Sequence, residues 1–287
     1  MSLHTIVNPK TLGIIAAVIA VSISLIIIQN GDAQNTVYAG PKKAVIIDQL
    51  YDDIPNEYFL LKAAEYLVQA GYAVDVFTTE KVTVDFFKHL PEQNYNFIIV
   101  RTHGAADVSD DNVVTLFTGE RYTEDKYIQE QLFGQVKKGA PFAEVNFRLG
   151  KHTSSDWVQL NDTAITITTP AIRETTSEDN YFLIPPKLVY DSMVGKFPSS
   201  IIILGGCNTM TNPSMAKALV ARGASIVIGW DDAVGSEDND DTLLKVLEKT
   251  LKDNQKIEDA VDSVLEEREW FNQYYPANLR YYTESGI

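Results

Sequence analysis

Apolar residues along this chain are arranged in two ways. They form short unbroken β-branched runs, and they recur every third or fourth position over longer stretches. Runs of the first kind, closed by glycine or polar residues, predict interior strands of a parallel sheet. They lie at residues 44–48, 73–77, 97–102, 199–206 and 224–230. Between them, residues 56–70 place Phe59, Leu60, Ala63, Ala64 and Leu67 at helical spacing and stop at Gly71, and shorter helices are expected over 84–90 and 213–222. Strand and helix in alternation demand right-handed crossovers, so the expected class is α/β with a mainly parallel central sheet and helices on both faces.

The stretch between the third and fourth runs is far longer than a crossover requires. Residues 127–136 read as helical, 143–147 alternate, and 163–169 alternate cleanly. A small antiparallel β insertion near 105–185 is therefore expected, followed by a helix over 186–194; it either covers a cleft or stands as an arm with no substrate contact. Downstream, residues 236–241 read as an acidic lead into a helix over 242–252. A last helix is expected over 257–271, then a tail containing Tyr281-Tyr282, free either to pack on the domain or to meet a partner.

The first residues carry a different signal. From 12 to 28 the chain has no charge, a length close to the roughly 20 residues that cross a bilayer as a helix. Residues 1–11 then form a cytoplasmic start, 29–42 a polar linker, and 43–287 a folded domain on the extracytoplasmic side. An uncleaved single-pass anchor is the expectation, with Gly31-Asp32-Ala33 and Val37-Tyr38-Ala39 as the sites at which a signal peptidase would cut. Asn161-Asp162-Thr163 is a glycosylation sequon if that side is exported.

With 287 residues, 45% of them hydrophobic, the chain can bury a full core. Its 39 acidic against 24 basic residues, a formal charge of −15, make nucleic acid a poor partner. One cysteine excludes an intrachain disulfide, and no Cys/His cluster has structural zinc spacing. Asp238, Asp240 and Asp241 lack the glycine and terminal glutamate of an EF-hand loop. No phosphate-binding loop or dinucleotide fingerprint is present, so no cofactor is expected. His4, His89 and His152 sit away from strand ends and read as surface residues.

Chemistry concentrates at two strand ends. The only cysteine, Cys207, follows the run ending in Gly205-Gly206, and His103-Gly104 follows the run 97–102. Ligands gather at the carboxyl ends of parallel strands, so both residues are expected on one edge. A thiolate is the nucleophile and an imidazole can take its proton, which assigns Cys207 as nucleophile and His103 as general base. The amides of Gly104 and Cys207 are suited to holding an oxyanion, and Gly205 lets a substrate backbone come close. Trp230, closing the last strand, reads either as a pocket wall or as core.

Strand-His-Gly followed later by strand-Gly-Cys resembles the caspase-like cysteine peptidases: caspases, metacaspases, gingipains, separases and CHAT domains. The likeness to CHAT domains is the fullest. It takes in Cys207-Asn208-Thr209, the helix after it, and Ala224-Ser225-Ile226-Val227-Ile228-Gly229-Trp230 before an acidic helix start. The resemblance covers residues 43–267 and implies a three-layer sandwich carrying a His103–Cys207 dyad that cleaves peptide or protein substrates. Caspases carry glutamine two residues before the cysteine and metacaspases aspartate. Here the position is Gly205, so aspartate specificity is not implied. In some relatives acidic residues after the first strand select a basic side chain, which points to Asp48, Asp52 and Asp53 as substrate-binding residues. The alternative is a catalytically silent CHAT-like surface module that binds a partner protein.

Overall fold

The computed structural model describes residues 42–107, 113–141, 159–160, 163–164, 180–267 and 277–286. The segment 12–28, the alternating segment 143–147, most of 163–169, the sequon Asn161, His4, His152 and residues 268–271 lie outside these. Among the described residues no helix is long and apolar enough to cross a membrane.

Each of the five β-branched runs contains a strand. β1 (Lys43–Asp48), β2 (Ala73–Thr78), β3 (Phe97–Arg101), β10 (Ile201–Gly205) and β11 (Ile226–Trp230) pair in parallel. The sheet order is β12-β11-β10-β3-β1-β2, with β12 (Leu279–Thr283) antiparallel on β11 at the edge. The tyrosine-bearing tail is thus a sixth strand. Its Tyr281 and Tyr282 sit opposite Ile228 and Val227.

β1 is followed by α1 (Glu57–Gln69), whose first turn is capped by the Asn56 side chain accepting from the Phe59 amide at 3.0 Å. Gly71, at φ +86, makes the left-handed exit that glycine tolerates. α1 packs Phe59, Leu60, Ala63, Ala64 and Leu67 on one sheet face, where Ala44, Ile46, Phe97, Ile99, Ile203 and Ile228 point. α6 (Ser236–Leu247) and α7 (Ile257–Glu266) complete that layer. The opposite face, Val45, Ile47, Ile98, Val100, Ile202 and Leu204, is covered by α2 (Val84–His89), α4 (Pro186–Asp191) and α5 (Ser214–Ala221). Two apolar layers on one alternating sheet explain why the inner strands β1, β3, β10 and β11 carry no exposed face.

The insertion forms a small antiparallel sheet, but from segments other than those expected. β4 (Gly104–Asp107), β5 (Val113–Arg121), β6 (Lys137–Gly139) and β9 (Tyr181–Ile184) pair in the order β4-β5-β9-β6. Of the alternating stretch 163–169, only β8 (Thr163–Ala164) is described, paired with β7 (Gln159–Leu160). The helix expected over 127–136 is the short α3 (Ile128–Leu132). Val114, Leu116, Phe182 and Ile184 join the sheet-face core, so this four-stranded sheet is packed on the domain.

One boundary shifts markedly. The acidic stretch 236–241 is not a lead-in but the first half of α6, and Asp238, Asn239 and Asp240 are buried. Buried partners for Asn239 and Asp240 outweigh the poor helix propensity of Asp and Asn.

Candidate functional site

The chain builds β2 on one side of β1 and β3 on the other, so the strand order reverses between β1 and β3. Crevices open at the carboxyl ends of strands beside such a reversal. There, Leu50, Thr102, His103, Gly205, Gly206, Cys207, Val234, Ser236 and Asn239 line a small cleft that opens to solvent. β3 and β10 are direct neighbours, with Gly205 in register with Arg101, and they deliver His103 and Cys207 to this one cleft.

The His103 arm is fixed through its backbone. Gln49, buried at the end of β1, accepts from the His103 amide at 3.0 Å through Oε1, which also meets the Thr102 hydroxyl at 3.2 Å. The Thr102 amide donates to the Gly205 carbonyl at 3.0 Å, and the Phe117 amide donates to the His103 carbonyl at 3.1 Å. Phe117 also sets its ring edge-on to the imidazole, with centroids 5.7 Å apart. Gln49 escaped the sequence reading; a buried polar residue directly after a strand was its one signal.

Burial, and after it the positive charge of Arg101, pushes the imidazole down from its ordinary value to about 4. At neutral pH His103 is therefore a neutral base able to accept a proton. Above about pH 6.5 neither folded nor unfolded His103 is charged, while between about 6.5 and 4 only the unfolded chain takes up the proton. Stability attributable to this residue is then lost progressively as pH falls through that window, by about 3 kcal/mol at most. The expected result is that His103→Gln flattens the pH dependence of the urea midpoint between pH 6.5 and 4; an unchanged slope would refute the burial of a neutral imidazole.

The Cys207 arm is a tight turn. Asn208 adopts φ +59, a conformation that asparagine tolerates, and its amide donates to the Asp232 carbonyl at 3.0 Å. The Thr209 hydroxyl meets the carbonyls of Leu204 and Gly206 at 3.0 Å and receives the Trp230 amide at 3.0 Å. Sγ of Cys207 donates to the Val234 carbonyl at 3.3 Å and accepts from the Val234 amide at 3.4 Å. In this state the thiol is held by the loop between β11 and α6.

The two arms nearly touch. A Cβ on Gly104 would lie 2.1 Å from the Cys207 carbonyl oxygen, and one on Gly206 2.1 Å from the Thr102 carbonyl oxygen. Only glycine permits this approach. Because Phe117 bonds to the His103 carbonyl, the next pair, Gly104 with Leu116, falls at a non-bonded position of the ladder, which turns the Gly104 N–H away from β5. Gly104→Ala is expected to cost about 1–3 kcal/mol by overpacking and to slow alkylation of Cys207. A variant matching the parent in both urea midpoint and labelling rate would contradict this closeness.

The remaining sequence-picked residues lie elsewhere. Asp48 is fully buried and its Oδ1 accepts from Arg101 Nη1 at 3.0 Å. Asp52 and Asp53, half-buried on the following turn, do not line the cleft, and the Asp52 amide donates to the Thr79 hydroxyl at 3.3 Å. Trp230 is core, and its Nε1 donates to Asn239, a residue of the cleft lining, at 2.8 Å. Exposed His89 pairs with Glu92 at 2.7 Å. Among the described residues no group of His, Cys, Asp and Glu is arranged to hold a metal ion.

The fold is α/β, with a mixed, mostly parallel six-stranded sheet and a small antiparallel sheet beside it. Comparison of the chain with protein-family models and with curated proteins finds no match.

Proposed function

We propose that this chain is a caspase-like cysteine peptidase of CHAT-domain type, held at the membrane by residues 12–28 with its catalytic domain on the extracytoplasmic side. The observation that carries the reading is the delivery of His103 and Cys207, by adjacent parallel strands, to one cleft. In the reaction, the Cys207 proton passes from Sγ to the His103 imidazole as Sγ leaves the Val234 carbonyl. Sγ then bonds to the peptide carbonyl carbon, and the C=O electron pair moves onto oxygen, stabilised by the amides of Gly104 and Cys207. Collapse breaks the C–N bond, with the imidazolium proton going to the departing amine. Water, deprotonated by His103, hydrolyses the thioester and restores the thiol.

A second reading, a silent module of the same architecture that binds a partner protein, draws on the hold of Val234 on Sγ. The test is turnover of a pooled fluorogenic peptide library by the full-length chain beside Cys207→Ala and His103→Ala. Loss in both variants supports the dyad. No turnover by the parent, with a Cys207 that resists alkylation until unfolding, favours the silent module.

A further inference from the structure

We propose that Asn239 is the specificity-determining residue of the cleft, and that the side chain selected beside the scissile bond is uncharged and hydrogen-bonding, best of all a carboxamide. This rests on the cysteine-peptidase reading and names the substrate class of that same site. The starting point is the missing side chain at Gly205. A Cβ there would stand 2.7 Å from Leu243 Cδ1 and 3.1 and 3.3 Å from Oδ1 and Nδ2 of Asn239. α6 thus brings an amide to the space that a side chain at the end of β10 would occupy.

The orientation of that amide is settled by its partners. Trp230 Nε1 can only donate, and donates to Oδ1 at 2.8 Å; the Asp240 carboxylate, bound to Arg101, accepts from Nδ2 at 2.9 Å. A carboxamide has two N–H groups and two acceptor positions. One of each is used, leaving one donor and one acceptor on a side chain only 3% exposed that lines the cleft. That pair complements a second carboxamide, and less fully a hydroxyl.

Charge is excluded by the rest of the lining. Leu50, Thr102, Val234 and Ser236 are uncharged, and His103 is neutral at pH 7. The nearby carboxylates of Asp48 and Asp240 are both engaged by Arg101 and do not line the cleft. A lysine or arginine would meet no carboxylate there and an aspartate no cation, and an unpaired charge is costly to desolvate.

The test uses the full-length chain in detergent and peptide chloromethyl ketones that differ only in the side chain beside the reactive carbonyl: Asn, Gln, Ser, Lys, Arg or Asp. Labelling of Cys207 is followed by intact mass. Asn and Gln reagents are expected to react at least about ten-fold faster than Lys, Arg and Asp reagents, and Asn239→Ser to erase most of that difference. Iodoacetamide, which needs no pocket, is run in parallel on the parent and on His103→Ala. Fastest labelling by a charged reagent, or an unchanged ranking in folded Asn239→Ser, overturns the specificity assignment while His103-dependent iodoacetamide labelling leaves the dyad standing. Iodoacetamide labelling indifferent to His103 removes the peptidase reading and this inference with it. If Asn239→Ser fails to fold by thermal melt, the ranking in the parent chain decides.

Discussion

Cys207→Ala is expected to bring peptide turnover to background, and His103→Ala to lower it by about 10²–10⁴-fold, the usual contribution of a positioned general base. The asymmetry has a physical source. Without Sγ no thioester forms, whereas without the imidazole a small thiolate fraction can still attack. In the resting arrangement Val234 acts on Sγ from both sides, its carbonyl favouring the protonated thiol and its amide the thiolate. Transfer of the proton to His103 must therefore break the carbonyl contact. Burial and Arg101 keep His103 neutral and open to that proton, while the same lowering makes it a weaker base than an ordinary imidazole, so the transfer is uphill. The acid limb of the turnover profile should then lie well below the ordinary imidazole value, toward pH 4. Kinetics over pH 4–8, with the fold monitored by circular dichroism, check this. Turnover that survives in Cys207→Ala would exclude a cysteine mechanism altogether.

The five parallel strands were legible because each is a β-branched run bounded by glycine or polar residues, and the same logic located His103 and Cys207 at strand ends; the edge strand Leu279–Thr283, with no such run, read only as a tail. The insertion was not legible. Gly104-Ala105-Ala106-Asp107 carries no strand signal of its own and is a strand because Val113–Arg121 pairs with it. That second segment does alternate, with Val114 and Leu116 in the core, and was readable in principle. The first half of α6 was hidden for a different reason. Asp238, Asn239 and Asp240 look solvated in a sequence, and only the fold supplies the Trp230 and Arg101 groups that bond to Asn239 and Asp240. Likewise Gln49 and Val234 shape the site through backbone or single-atom contacts, which leave no pattern along the chain.

Arg101→Leu is expected to destabilise the fold by about 3–5 kcal/mol, the usual cost of removing one partner from a buried ion pair. Arg101 is wholly buried. Its Nε and Nη2 each donate to Asp240 at 2.9 Å, Nη1 to Asp48 at 3.0 Å, and Nη2 also to the Ile54 carbonyl at 2.8 Å. One cation thus faces two carboxylates that water does not reach. Burial already raises the Asp48 carboxyl despite the guanidinium, and its Oδ2 is buried without a hydrogen-bond partner among the described residues. Removing Arg101 leaves both acids without their cation, and Asp48, already raised by burial, would then hold its proton more tightly still in the folded chain. Such groups stabilise the fold at low pH and cease to as pH rises through the raised value. The deficit of Arg101→Leu should accordingly be larger at pH 8 than at pH 5. Arg101→Lys should recover little, since one ammonium cannot reproduce the planar fork. Replacing the three together, Arg101→Met with Asp48→Asn and Asp240→Asn, should restore much of the loss, because the cost lies in stranded charge more than in lost attraction. Urea midpoints at both pH values decide it: a loss below about 1 kcal/mol, the scale of an exposed pair, would mean that water reaches these carboxylates. The same network carries Asn239 through Asp240, so variants that keep the fold but lose the pair should also blur the ranking of side chains in the cleft.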